Sequence, residues 1–207
     1  MKIGILGGAF DPVHIGHLLV ARDVQEKLEL DKVLFMIAPQ PPLKRCVESY
    51  ENRLAMLKHA LKPYPDFAVC EETRTGKCYT IDSLTALKTR HPQDDLYLLM
   101  GSDQFAALDA WKQPERLKDY ARLVVMTRPD LSLKHQASSI KLQASGPAAL
   151  ARRVRFMPVR DIAVSSSEIR DRLRQGQDVR GMVTDSVLKM IVRKRLYRTG
   201  KTRKGRK

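Results

Sequence analysis

A short apolar strand pattern, Lys2-Ile3-Gly4-Ile5-Leu6, runs straight into Gly7-Gly8 and then into a helix-spaced segment from about 14 to 28. No other stretch constrains the fold as tightly. A strand that turns through glycine into a helix is the first half of a βαβ unit, and the helix must return the chain to a parallel neighbour. Residues 31–38 supply that neighbour: a continuous run of Val, Leu, Phe, Met and Ile, the pattern of a strand buried on both faces. The alternation then repeats. Helix spacing over 49–61 sets Leu54, Leu57 and Leu61 on one face and stops at Pro63. Further strands are predicted over 67–70, 96–100, 123–127 and 154–157, and helices over 80–90, 165–174 and 185–195. Short helical pieces are predicted over 102–108 and 114–118, around Trp111. Pro41 and Pro42 make 40–45 a loop. A turn is expected over 74–76 and a long polar loop over 129–147.

The predicted fold is therefore α/β: a doubly wound, mainly parallel, Rossmann-like sheet with a small helical C-terminal region over about 160–197. One domain over 1–197 accounts for most of the 207 residues. In such sheets ligands bind at the carboxyl ends of the strands. Those ends are Gly7 to Asp11, 38–44, Gly101 to Asp103, Thr127-Arg128 and the stretch before Ser165.

Charge is unevenly spread. The formal net charge is +15. Residues 1–151 hold 20 Lys and Arg against 18 Asp and Glu, whereas 152–207 hold 18 against 5. A tail so basic attracts any polyanion, whether nucleic acid, a membrane surface or a nucleotide. It is equally the signature of a solvated, disordered segment, which is the expectation for 198–207. No apolar run is long enough to span a bilayer. The N-terminus lacks the apolar core of a secretory signal. Cys46, Cys70 and Cys78 are too scattered for a disulfide scaffold or a closed zinc site. A cytoplasmic protein with no membrane partner is expected.

Two constellations carry chemistry. In the first, Gly7-Gly8-Ala9-Phe10-Asp11-Pro12-Val13-His14-Ile15-Gly16-His17, the glycines allow close backbone approach and the helix start favours an anion. His14 and His17, three apart, share one face of the first helical turn. Gly16 between them leaves room for a bulky ligand. Two imidazoles beside a phosphate cradle can donate to a phosphate whose charge rises during transfer. A metal pair is the alternative, but no further ligand nearby completes such a site. In the second, Val164-Ser165-Ser166-Ser167-Glu168-Ile169-Arg170, the Ser165/Glu168 spacing is that of a capping box. A serine-rich helix start is also an anion site, with Arg170 placed to reach back to it.

Gly-Gly-x-Phe-Asp-Pro-x-His-x-Gly-His resembles the hallmark of nucleotidyltransferases that share the HIGH motif, and 164–170 resembles their Ile-Ser-Ser-Thr-x-Ile-Arg motif. Class I aminoacyl-tRNA synthetases also carry HIGH, but they are much longer and their Lys-Met-Ser-Lys-Ser does not occur here. Arg74-Thr75-Gly76-Lys77-Cys78-Tyr79-Thr80-Ile81-Asp82-Ser83-Leu84, Met100-Gly101-Ser102-Asp103 with Trp111, and the final Leu196-Tyr197 resemble bacterial nicotinate-nucleotide adenylyltransferases over about 2–197. Phosphopantetheine adenylyltransferase shares the two phosphate motifs, is typically shorter and lacks the Tyr-Thr-Ile-Asp and Trp segments. Leu43 stands where that family has His, Cys78 where it has Ser and Ala9 where it has Thr. The entry to the last helix lacks a common proline, and the basic tail extends beyond the pattern.

The resemblance implies a sheet of the nucleotidyltransferase type and transfer of the adenylyl group of ATP to nicotinate mononucleotide, with Mg²⁺ accompanying ATP. It implies catalytic roles for His17, His14 and Arg170. ATP would be bound by Gly7, Gly8, Phe10, His14, His17, Gly101, Asp103, Ser165, Ser166, Ser167 and Arg170. Nicotinate mononucleotide would be bound by Lys44, Tyr79, Thr80 and Trp111. Read singly, Trp111 also suits a core aromatic, Asp103 a helix cap and Lys44 a solvated loop. Other adenylyl- or cytidylyltransferases, and a nucleic-acid binder acting through the tail, are the rival functions. No specific nucleic-acid partner is expected, and a homo-oligomer is left open.

Overall fold

The computed structural model describes residues 1–40, 45–71, 78–127 and 154–198. Six strands form one sheet: β1 (Lys2–Gly8), β2 (Lys32–Ile37), β3 (Phe67–Glu71), β4 (Asp95–Gly101), β5 (Arg122–Thr127) and β6 (Val154–Pro158). Their order is β3-β2-β1-β4-β5-β6, and every pair is parallel. The chain winds outward from β1 to β3, then crosses back and continues from β4. The switch point lies between β1 and β4, where doubly wound sheets open a crevice at the strand ends.

Helices α1 (Ile15–Leu28), α2 (Tyr50–Leu61), α3 (Thr80–Arg90), α4 (Ser102–Ala106), α5 (Ser166–Arg174) and α6 (Asp185–Lys194) connect and flank the strands, with 3₁₀ turns at Leu108–Ala110 and Pro114–Asp119. Alternation within each strand feeds two cores. In β4, Tyr97 and Leu99 join the apolar cluster under α1, α2, α5 and α6, while Leu96, Leu98 and Met100 join the one under α3 and α4. A strand buried on both faces must be apolar throughout, which is why residues 96–100 show no polar alternation.

Boundaries differ from the sequence reading in ways that matter for the site. Gly7 and Gly8 are the last residues of β1, in register with Met36 and Ile37 of β2, rather than the start of a loop. His14 caps α1 from outside it. Leu196 and Tyr197 do not belong to the last helix: α6 stops at Lys194, Arg195 takes a left-handed conformation, and the chain folds back inward. The turn expected over 74–76, the loop over 129–147, most of the proline-rich loop over 40–45 and the tail from 199 lie outside the described residues. Among the described residues no helix is long and apolar enough to cross a membrane.

Carboxylates of the N-terminal half tie down the C-terminal elements. Arg160, just after β6, donates from its backbone N–H and Nε to the two oxygens of Asp23 on α1, at 2.9 and 2.8 Å. Tyr197, buried, donates its hydroxyl to Asp11 Oδ1 at 2.8 Å, and its N–H donates to Glu48 Oε1 at 3.2 Å. Burial, and then the Asp11 carboxylate beside it, pushes the Tyr197 hydroxyl well above its ordinary range, so it acts as a donor. Tyr197→Phe is expected to leave Asp11 short of one donor and to cost about 1–2 kcal/mol, read as a lower urea midpoint.

Candidate active site

The turn between β1 and α1 is shaped by packing before any ligand is considered. Phe10 has φ +47°, in the left-handed region, and its ring is only 2% exposed. A Cβ on Gly8 would stand 2.9 Å from that ring, so glycine is required there by Phe10 itself. The ring packs against Phe35, with centroids 5.7 Å apart, and meets His17 edge-on at 5.0 Å. The Phe10 side chain thus belongs to the core and orients His17, which leaves the backbone of this turn as the part of Phe10 that could meet a nucleotide. Asp11, 4% exposed, receives the N–H of Val47 at 2.6 Å, the N–H of Glu48 at 3.3 Å and the Tyr197 hydroxyl. It knots the turn to the approach of α2 and to the chain's end.

The two histidine rings lie in contact, tilted by 33°, with centroids 3.7 Å apart. His14 N–H donates to His17 Nδ1 at 3.2 Å. A neutral imidazole that accepts at Nδ1 carries its proton at Nε2, so this bond selects the tautomer that donates from Nε2. The room at Gly16 is taken by His14: a Cβ on Gly16 would stand 2.9 Å from His14 Nδ1. That differs from the reading in which Gly16 makes room for a ligand. The helix start also offers fewer donors than expected. Ile15 N–H goes to Met182 O at 3.0 Å, and His17 N–H to His14 O at 3.0 Å.

His14 Nδ1 is buried without a hydrogen-bond partner. Burial holds this imidazole far below its ordinary 6.5, at about 4, so it is neutral at pH 7. On unfolding it returns to ordinary behaviour, and between these two values the unfolded chain binds the extra proton. The stability it contributes is therefore complete above pH 6.5 and is lost as pH falls towards 4. His14→Asn is expected to flatten the change in denaturation midpoint between about pH 5 and 7, relative to the parent chain.

α5 docks its N-terminal turn onto the Asp11-Pro12 segment. Ser165 Oγ caps the helix by accepting from Glu168 N–H at 3.1 Å. Ser166 Oγ donates to Pro12 O at 2.9 Å. Arg170 donates to Asp11 O at 2.7 Å and to Ser167 Oγ at 3.0 Å, while its Nε is buried without a partner. The capping and anion readings of this segment are thus both compatible with the geometry. The serine side chains are engaged with protein, which leaves the helix's backbone N–H groups and Arg170 as the natural anion donors.

A cavity of about 340 Å³ opens at the switch point. Gly7, Gly8, Tyr79, Thr80, Asp103 and Trp111 all line it, as does Cys78. Tyr79 caps α3: the N–H groups of Asp82 and Ser83 bond to Tyr79 O at 3.1 and 3.2 Å, and the Thr80 start of the turn lies at the wall. Trp111 is half-buried against the core under α3 and also faces the cavity. Asp103 is an exposed wall residue, not the cap of α4, which is Gly101. Gly101 N–H donates to Gln104 Oε1 at 3.0 Å. Lys44 lies outside the described residues. The structure brings Gly7, Gly8, Tyr79, Thr80, Asp103 and Trp111 to the cavity, sets His14 against His17 beside the Phe10 ring, and holds Arg170 and Ser166 on the Asp11-Pro12 segment between Phe10 and His14.

Residues 5–172 match the Cytidylyltransferase-like family. A Thermomicrobium roseum protein named "Probable nicotinate-nucleotide adenylyltransferase" is 41% identical over 202 residues, covering 96% of this chain and 92% of that protein. This chain belongs to the nicotinate-nucleotide adenylyltransferase family. A Thermus thermophilus member of the same name is 40% identical over 96% of this chain and the whole of its own length. Among solved structures, the Plasmodium falciparum nicotinic acid mononucleotide adenylyltransferase complexed with NaAD superposes with a TM-score of 0.76 at 20% identity, covering 95% of this chain and 97% of that one. The same protein complexed with APC gives 0.73 at 19% identity, covering 95% and 96%. At that identity the structures establish the shared fold.

Three residues of this family member escaped the sequence reading. Asp11 sits inside its motif with no role that local spacing reveals. Arg53, 1% exposed, donates to the carbonyls of Ala9, Ala38, Pro39 and Glu48 at 2.7, 3.0, 2.7 and 3.3 Å. It holds together the two turns that follow β1 and β2. Its signal was present, since 53, 56, 57 and 60 form the buried stripe of α2. Lys112 lines the cavity beside Trp111, and nothing in its local sequence separates it from a solvated lysine.

Proposed function

We propose that this chain transfers the adenylyl group of ATP to nicotinate mononucleotide, giving deamido-NAD and pyrophosphate in NAD biosynthesis, as an enzyme of the cytoplasm. One observation carries the reading: a single cavity sets the Trp111 ring and the N-terminal turn of α3 beside the Gly7-Gly8 strand end, and Phe10 joins that strand end to His17. A flat aromatic acid needs a stacking face and N–H donors for its carboxylate, and this wall has both.

The 5′-phosphate of the mononucleotide is anionic at neutral pH and needs no strong base. Its oxygen forms a bond to the α-phosphorus of ATP as the bond to the pyrophosphate oxygen breaks in line. Catalysis is then positioning and charge stabilisation. His17 donates from Nε2 to an α-phosphate oxygen, and neutral His14 supports it. Arg170 and the α5 N-terminus, opened by Ser165, Ser166 and Ser167, hold the leaving pyrophosphate. Asp103 takes a ribose hydroxyl near Gly101, and Lys44 contacts phosphate. Among the described residues no group of three or more His, Cys, Asp or Glu is placed to hold a metal. Mg²⁺ would enter with ATP as part of the substrate and offset the charge of its phosphates.

Product analysis tests the reading. Purified protein with MgATP is given nicotinate mononucleotide, nicotinamide mononucleotide or phosphopantetheine in parallel. Fastest dinucleotide formation from the nicotinate form is expected. No dinucleotide from either mononucleotide would overturn the assignment. A chain ending at Arg198 retains the Tyr197–Asp11 bond and is expected to keep its turnover. Loss of turnover on that cut, with salt-sensitive nucleic-acid binding lost alongside it, would instead favour the tail as the functional part.

A further inference from the structure

Among the described residues lining the cavity, Lys112 carries the one cationic side chain. Its ammonium is not free to wander. It stands 5.0 Å from the centroid of the Tyr79 ring and 3.1 Å from each carboxylate oxygen of Asp82. Tyr79 caps α3 and Asp82 lies in its first turn, so the ammonium is held at the positive end of that helix, next in sequence to Trp111. An ammonium has three donors, and bonding to Asp82 leaves at least one for another acceptor. This end of the cavity therefore presents the ammonium beside the Thr80 start of the α3 turn, where the first backbone N–H of a helix has no partner within it.

We propose that Lys112, steadied by Asp82 and the Tyr79 ring, is a specificity-determining residue that favours a carboxylate over a carboxamide on the pyridine ring. The inference rests on the proposed function and goes beyond the backbone contacts that reading assigns to Tyr79 and Thr80. A carboxylate satisfies several donors and gains from the ammonium's charge. A carboxamide turns an NH₂ towards the same donors, has one acceptor to offer, and forgoes the charge-assisted bond to the ammonium. Asp82 offsets part of the charge but fixes the ammonium's place, so less freedom is lost when substrate arrives.

The ratio of kcat/KM for nicotinate mononucleotide to that for nicotinamide mononucleotide reads the effect directly. Lys112→Met is expected to lower the ratio by about tenfold or more, the scale of one charge-assisted hydrogen bond. Lys112→Arg is expected to keep most of it. If Lys112 merely pins the Trp111 segment to α3, then K112M and D82N will depress both substrates equally and leave the ratio unchanged, which would overturn the inference. A melting curve of each variant checks that the fold is intact. A parent enzyme that makes no dinucleotide from either mononucleotide overturns the proposed function and this inference with it. An active parent whose ratio survives K112M overturns this inference alone.

Discussion

His17→Ala is expected to lower kcat by on the order of a hundredfold or more, with much smaller changes in KM. The His17 Nε2 proton is committed to donation because Nδ1 accepts the His14 N–H at 3.2 Å. The ring is held from one side by the edge-on Phe10 ring and from the other by His14. A donor so fixed costs no reorganisation when negative charge builds on the α-phosphoryl oxygens. Its loss therefore falls on the transition state more than on ground-state binding. His17→Asn, which retains a side-chain N–H on a shorter arm, is expected to recover part of the loss. Steady-state kcat with saturating MgATP and nicotinate mononucleotide is the measurement. Full turnover in the alanine variant would remove His17 from the chemistry and shift the burden to Arg170.

That prediction draws on both the sequence and the structure. The strand, Gly-Gly, His-x-x-His and helix order places two imidazoles at a strand end, and the first five strands alternate with helices as their apolar runs predict. Local patterns are legible because each rests on residues close in the chain. The tautomer of His17, the donors consumed at α1 and the burial of Phe10 are not legible in the same way. They depend on Met182, Phe35 and the left-handed backbone at Phe10, which only packing brings together. The same holds for Asp11. Its partners are 36, 37 and 186 residues away, so no spacing rule reaches them. The room that the sequence suggests at Gly16 is filled by the His14 ring, while Gly8 lines the cavity and is itself crowded from the other side by the Phe10 ring. Glycines beside a site answer first to the protein's own side chains, and the ligand meets the surface those side chains leave.

Arg53→Met is expected to cost about 3 kcal/mol or more of stability and to raise KM for the mononucleotide as well. The guanidinium is buried and donates to four backbone carbonyls, none on its own helix. Methionine fills a similar volume but leaves those carbonyls to find water in a place built to exclude it. Each charge-assisted bond is worth roughly 1.5–3 kcal/mol, and some of the four will be recovered by hydration or by small movements of the turns. Those movements are the reason binding suffers too. Ala9 and Ala38, two of the residues whose carbonyls Arg53 holds, line the cavity. Relaxing them moves the wall that faces Trp111. Arg53→Lys keeps the charge but not the fork, so it can satisfy fewer carbonyls at once and is expected to restore only part of the stability. Urea denaturation with an unchanged m-value, together with KM from initial rates, separates the two effects. A midpoint equal to the parent's would mean that the carbonyls are already hydrated and that Arg53 is not what holds the turns after β1 and β2 together.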